Sequence, residues 1–595
     1  MLKILMNFKN FIKEHLVIII LAFSLTALIF APLLAFPPAA GKEYQGININ
    51  WFGTDAHFYL TRGKEALAGH GLGSPVLREG KNNADMYLSY SDYILTAPVK
   101  LLGLADKVNI VTLYNIYNFI GVFFLILLIY FFVLQLSGNK LLAAAAALFA
   151  VGGYSIIYRK TLFYDDFNIY ARVIYPYVSS IVLFSYLNLL LKSLRSEGLK
   201  YKISAGIIFG SMFYVYFYTW SFVLALNAIL FLIFIFKKEF SSVKKILLIS
   251  TIGLALGSFN LIRLFLRFIS HDEIDKQIAY HIWTQYGHRF IFSKIGFLTM
   301  AIFAAFFYKR RSDRNLPLIL AIILAGWVAL NQQIISGVIL GYAHYYFYFI
   351  VPLSVVVSFY MVWQLIKSEK LKKYLFMLII AIVFINTAGG QYKSFWSTLG
   401  IKKYEQNFRT VIDVLNRDQK PGVIFANQAN QYLFTIYTPH DLFWQPIASL
   451  SRIPIERFKD ALFVYTYFNK EARNNFNGYL NEVANVKEVK GSYYRLLFRN
   501  LEGFWSGFDF YTYMDKIAKG DEELIRKRPA VISRLSEEYS EKLLNDNKGI
   551  NKLLREYGVN YIVWDKNLDP KWDLSPIQGL EQIANYNNIY LYKIN

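Results

Sequence analysis

Eleven apolar runs, separated by short segments rich in Lys and Arg, constrain this chain more than any other feature. They fall at 16–36, 109–136, 141–157, 171–191, 203–218, 221–236, 246–262, 295–308, 316–340, 347–366 and 374–388. A helix needs roughly 20 apolar residues to cross the hydrocarbon core of a bilayer. The runs predict a polytopic α-helical membrane protein with about eleven crossings. Composition agrees: 55% of residues are hydrophobic and only 17% charged, against about 25% charged in a soluble domain.

The charge pattern orients the runs. With the N-terminus in the cytoplasm, alternate connections carry Lys3, Lys9 and Lys13; Lys140; Lys192, Arg195, Lys200 and Lys202; Lys237, Lys238, Lys244 and Lys245; Lys309, Arg310, Arg311 and Arg314; and Lys367, Lys370, Lys372 and Lys373. Basic residues favour cytoplasmic loops, and an error of one span would break the alternation. The net charge of +22 is therefore spent on membrane topology, and no nucleic-acid partner is implied. The chain has no cysteine, which excludes disulfides, thiol catalysis and Cys-bound metal. Its basic start followed by a long apolar run reads as an uncleaved signal anchor.

The opposite, extracytoplasmic side receives 37–108, 158–170, the Thr219–Trp220 turn, 263–294, 341–346 and everything beyond 388. Within 37–108, Thr54–Ala68 has a helical pattern broken by Gly69, Gly71 and Gly73. Ser91–Leu104 reads as a second short helix interrupted at Pro98, and the two suit amphipathic helices lying at the interface. The chain divides into a transmembrane region, 1–388, and a polar tail, 389–595. The tail has helical stretches near 404–416, 457–469 and 530–556. Short strand patterns lie at Gly422–Ala426, Tyr561–Trp564 and Ile589–Lys593, and this order predicts a C-terminal α/β domain.

Four groups on the outer side have the residue types for chemistry. Asp55, Tyr59 and Arg62 share a helix face by i, i+4, i+7 spacing. A carboxylate there suits a general base for an acceptor hydroxyl, although Asp55 also suits a plain helix cap. The adjacent pair Asp165–Asp166 suits a divalent metal or sugar hydroxyls, with Arg159, Lys160 and Arg172 beside it for a phosphate. A solvated loop and interfacial snorkelling are the bland alternatives. The 263–294 loop opens with Arg263 and Arg267, spaced to grip a lipid phosphate, and contains His271 and His281. Finally, His344 lies in Tyr342-Ala343-His344-Tyr345-Tyr346, an aromatic setting for a substrate contact.

These groups together resemble the GT-C superfamily of membrane glycosyltransferases, which take a sugar from a polyprenyl-phosphate carrier at the outer face. Asp55 in GTDAHFYLTR matches the first-loop acid of that superfamily, and Asp165–Asp166 in LFYDDFNIYAR matches its second acidic motif. The tail lacks the WWDYG motif of sequon-reading oligosaccharyltransferases. The resemblance implies an inverting, lipid-linked-sugar-dependent transferase in the cell membrane, acting on a protein, lipid or glycan acceptor. Asp55 would be the catalytic base. Tyr59, Arg62, Asp165, Asp166, Arg172, Arg263, Arg267 and His344 would bind substrate. Asp55, Asp165 and Asp166 would be the ligands of any divalent Mg or Mn ion. Two alternatives remain at the level of sequence. One is a lipid or polysaccharide transporter or flippase-like protein, and the other is a polysaccharide polymerase or ligase.

Overall fold

The computed structural model describes residues 2–49, 55–83, 85, 89–269, 284–418, 420–427, 430–485, 493–508, 510–545 and 549–595. Each of the eleven apolar runs contains a helix, but run 171–191 becomes helical only from Tyr177, and run 316–340 ends in the strand Val338–Leu340, paired with Thr284–Tyr286. Backbone polar groups find no partner in lipid, so a spanning segment must satisfy them internally. Eight of the described helices are long and apolar enough to cross a membrane. The runs at 141–157, 203–218 and 295–308 form helices of 13, 17 and 16 residues, at or below the lower limit of about 17.

In chain order the bundle opens with α1 (Leu2–Ala40). The short helices α2 (Asp55–Ala68) and α3 (Ser91–Leu101) follow. Then come α4 (Ile110–Ser137), α5 (Lys140–Gly152), α6 (Tyr154–Arg159), α7 (Tyr177–Arg195), α8 (Leu199–Val215), α9 (Phe217–Phe236) and α10 (Phe240–Ile269). The bundle closes with α11 (Lys294–Lys309), α12 (Leu316–Leu330), α13 (Val351–Leu365) and α14 (Glu369–Glu405). Local chemistry sets several ends. Asn109 accepts from the Val111 and Thr112 amides at the start of α4, and Gly138 ends that helix in the left-handed conformation.

The α8–α10 pair shows why these segments pack as they do. Gly206 and Gly210 of α8 face Ile252 and Leu256 of α10, while Gly253 and Gly257 of α10 face Phe209 and Phe213 of α8. A Cβ at any of the four would collide with its neighbour. Small residues four apart on both helices let the backbones approach closely, where lipid supplies no hydrophobic drive. The reciprocal fit fixes the end of α8 and with it Tyr216.

Three expectations need correction. The break between α8 and α9 falls at Tyr216, which is extended, and not at Thr219–Trp220. The freed Val215 carbonyl there is taken up by the hydroxyls of Tyr175 (2.5 Å), Ser89 (2.9 Å) and Ser91 (3.2 Å). Second, α3 runs through Pro98, because only the last three residues follow it and one lost hydrogen bond is tolerated there. Third, α14 continues well past residue 388 to Glu405, so the last apolar helix leads unbroken into the tail.

The tail carries a five-stranded mixed sheet, in which β1 and β2 are Val423–Ala426 and Asp441–Leu442. The remaining strands are β3 (Val559–Asp565), β4 (Leu580–Tyr586) and β5 (Ile589–Ile594), in the order β2-β1-β3-β5-β4. β1 pairs in parallel with β2 and β3, and the β3, β5 and β4 pairs are antiparallel. Alternation sends successive residues to opposite faces. Ile424, Tyr561, Val563, Ile589 and Leu591 join the core continuous with the membrane helices. Val423, Phe425 and Ile562 face a second core built with α15 (Ile455–Phe468) and later helices. Val76 and Leu77, in the 37–108 segment between α1 and α4, are part of that second core. The loop and the tail therefore fold as one body.

Candidate functional site

The site is built around α2. Gly63 lets this helix lie against Tyr114 of α4, since a Cβ there would collide with the phenol. The helix has two working faces. On one, Arg62 is buried and gives its guanidinium to Asp85 at 2.6 Å and Asp92 at 2.9 Å. It also donates to the Ser89 carbonyl at 3.3 Å, and the Tyr114 hydroxyl donates to Asp92 at 3.3 Å. Burial works against the Arg62 charge, but the two carboxylates outweigh it and raise its pKa. Arg62, expected to contact substrate, instead ties α2 to α3.

Tyr59, one turn earlier, leads into a packed cluster of buried aromatic rings. Its ring meets Tyr175 edge-on at 5.5 Å. Tyr175 stacks on Tyr216 at 4.0 Å, and the Tyr216 hydroxyl bonds to His344 Nδ1 at 2.9 Å. His344 stacks on Tyr348 at 5.4 Å, and Arg172 donates to the Tyr348 hydroxyl at 2.5 Å. The structure thus brings Tyr59, Arg172 and His344, three residues from three separate segments, to one cluster. His344 does not sit in a loop. It lies in the helical turn Ala343–Tyr345, which leads through a π turn into α13. Burial holds the Tyr59 phenol well above its ordinary pKa, so it acts as a neutral hydrogen-bonding group.

The second face of α2 meets the tail. His57 stacks on Tyr432 at 3.4 Å, and the Thr61 and Thr435 hydroxyls are 3.1 Å apart. Lys64 donates to the carbonyls of Thr435 and Thr438. Burial, with the Lys402 charge nearby, pushes His57 well below its ordinary pKa and keeps it neutral. Burial lowers the Lys64 ammonium to about 8.

The second acidic motif is built differently. Asp165 accepts from the Ser397 hydroxyl at 3.0 Å, and Asp166 pairs with Arg159 at 3.0 Å with both side chains partly exposed. The two carboxylates thus hold different partners. Among the described residues, no group of three or more His, Asp or Glu side chains could hold a metal ion. Asp55 begins α2, but its side chain lies outside the described part of the structure, as does that of Arg267. His271 and His281 lie outside the described residues. Arg263 donates to the Tyr90 hydroxyl, next to the Arg62–Asp92 pair.

Beside the acidic loop is an open groove of about 400 Å³. Its lining is Ile156, Ile157, Leu162, Ile295, Leu298 and Tyr346, with Lys160 and Lys294. Both lysines are exposed. The groove adjoins the aromatic cluster, since the Tyr158 ring packs on Tyr346 and Phe347, within the π turn that carries Tyr348. Sequence reasoning named Lys160 but missed Lys294, Tyr175, Tyr216 and Tyr348. Their common signal was tyrosines and lysines at run ends, a pattern too frequent in this chain to single them out.

No protein-family model matches the chain, and no curated protein matches it in sequence. Among solved structures, the archaeal oligosaccharyltransferase AglB from Archaeoglobus fulgidus, in complex with an inhibitory peptide and a dolichol-phosphate, is 11% identical. It aligns over 94% of this chain and 70% of its own length, with a TM-score of 0.45. The Archaeoglobus fulgidus oligosaccharyltransferase in complex with Zn and sulfate is 9% identical, over 96% and 73%, at a TM-score of 0.46. ArnT from Cupriavidus metallidurans, bound to undecaprenyl phosphate, is 11% identical, over 98% of both chains, at a TM-score of 0.44.

Proposed function

We propose that this chain is a membrane glycosyltransferase that moves a sugar from a polyprenyl-phosphate carrier to an acceptor at the extracytoplasmic face. The groove carries the reading. An isoprenoid chain needs apolar walls open to the bilayer, and its phosphate needs cations at the rim. The Ile and Leu lining with Lys160 and Lys294 meets both demands. The adjoining tyrosine cluster has the rings and phenols that contact a sugar.

In this mechanism Asp55 takes the proton of the acceptor hydroxyl as its oxygen attacks the anomeric carbon. The new glycosidic bond forms as the bond from that carbon to the phosphate oxygen breaks, with inversion. Polyprenyl phosphate leaves, and its oxygen gains negative charge that Arg172, Lys160 and Lys294 would stabilise. Tyr59 and His344 line the sugar side, and Arg263 with Arg267 flanks the headgroup. A divalent ion, with Asp55, Asp165 and Asp166 as its candidate ligands, belongs to the proposal only as far as Asp55, since Asp165 and Asp166 hold separate partners. The direction of transfer rests on the charge alternation of the connecting segments.

The test is lipid binding. In nanodiscs, the purified chain retains undecaprenyl phosphate in preference to undecaprenol when probed by native mass spectrometry. Replacing both Lys160 and Lys294 with Ala lowers retention about tenfold, near 1.4 kcal/mol, the scale of charged contacts at a phosphate. Equal retention of the alcohol and the phosphate by the wild type would sink the reading.

A further inference from the structure

The second face of α2 has no part in the chemistry described so far, yet it is held at three positions. His57, Thr61 and Lys64 are spaced four and three residues apart, so they form one stripe on the helix. All three meet one short tail helix, Tyr432–Tyr437. The ring stack at 3.4 Å and the hydroxyl pair at 3.1 Å fix its approach. Lys64 closes on the carbonyls of Thr435 and Thr438, at the C-terminal end of that helix, where a cation is favoured. Behind the stack, the Tyr432 hydroxyl donates to Glu405 at 2.7 Å, and Glu405 pairs with Lys402 at 2.9 Å. Both lie on α14. A continuous line of contacts thus runs from the last membrane helix through Tyr432 and His57 to the helix that begins at Asp55. Glu65, Lys81, Asp441 and His440 surround Lys64. The Glu65 and Asp441 carboxylates are held by Lys81, at 2.8 and 2.6 Å. The ammonium is left to the carbonyls.

We propose that Lys64 is a positioning residue, and that through it the tail domain sets the attitude of α2 and hence the rate of the transfer step, beyond any choice of acceptor. The proposal rests on the glycosyltransferase reading for its kinetic consequence but not for its structural one. A tail that only selected acceptors would need no fixed grip on the opposite side of the catalytic helix. A grip made of a stack, a hydroxyl pair and a cation on two carbonyls orients a helix as well as holding it. Productive geometry is sensitive at the ångström level.

The experiment uses the full chain in nanodiscs and exploits its lack of cysteine. Lys64→Met removes the ammonium, and Lys64→Arg keeps the charge. A Thr61→Cys and Thr435→Cys pair introduces a single cross-linkable site where two hydroxyls already lie 3.1 Å apart, close enough for a disulfide with small adjustments. Lys64→Met is expected to lower kcat about tenfold or more, the scale of a small misplacement, with retention of undecaprenyl phosphate unchanged. Lys64→Arg recovers most of the rate. In the Lys64→Met background, oxidising the cysteine pair restores kcat, and reduction removes it again. Hydrogen exchange of residues 55–68 rises in Lys64→Met and returns to the wild-type level on oxidation. Exchange and kcat within twofold of wild type in Lys64→Met would overturn the proposal. So would a cross-link that restores exchange but not rate. If the wild type transfers no sugar, the function reading fails, and the exchange result still decides whether Lys64 holds α2.

Discussion

The two acidic segments, around α2 and at 158–170, are built on opposite principles. The first is a helix wedged between the membrane bundle and the tail, with Arg62 buried between two carboxylates and Lys64 closed on two carbonyls. The second is a loop whose two acids are held by one serine hydroxyl and one partly exposed arginine. Buried, hydrogen-bonded groups are fixed in geometry, and exposed pairs exchange partners with water at little cost. On the proposed function, the fixed α2 scaffold suits the catalytic acid, and the 158–170 loop suits contacts that form when a ligand arrives.

Breaking the first scaffold has the largest expected effect on stability. Arg62→Met leaves Asp85 and Asp92 buried without their cation, which costs on the order of 3–5 kcal/mol. A clear fall in Tm in detergent, with loss of α2 protection, checks this. A Tm equal to wild type would mean that the ion pairs do not hold α2 to α3. The second loop is expected to respond weakly. The Asp166–Arg159 pair is more than a third exposed on both sides, so Asp166→Asn is worth at most about 1 kcal/mol of stability. Asp165→Asn removes a charge from an exposed hydroxyl contact and leaves Tm nearly unchanged. A large Tm drop in either variant would erase the contrast between the two segments.

Much of this architecture was legible in sequence, because it follows from periodicity and charge. The long apolar runs became helices, and the strands expected at Gly422–Ala426, Tyr561–Trp564 and Ile589–Lys593 are present as β1, β3 and β5. The short β2 and the exposed β4 carry too little pattern to stand out. The expected 530–556 helix divides into Glu522–Tyr539, a π turn and Gly549–Glu556. The gathering of Tyr59, Arg172 and His344 was legible only as residue types on one side of the membrane. What joins them is Tyr216, a buried ring at a helix break that the α8–α10 glycines position. The stack of His57 on Tyr432 joins residues 375 positions apart by numbering (432 − 57), which no local pattern encodes. In sequence Arg62 reads as a substrate group because its spacing places it on the Asp55 face of the helix. Asp85 and Asp92, distant in sequence, turned it inward.

The most direct test of the central claim follows a labelled sugar. Proteoliposomes containing the wild-type chain and a polyprenyl-phosphate-linked sugar are supplied with acceptor on the outer side, and label leaving the carrier is measured beside Asp55→Asn. The account predicts carrier-to-acceptor transfer by the wild type and a loss of about 10²–10⁴-fold in Asp55→Asn, the range for removing a general base, with retention of undecaprenyl phosphate unchanged. Transfer by Asp55→Asn at the wild-type rate, or movement of intact donor across the bilayer without any transfer, would contradict it.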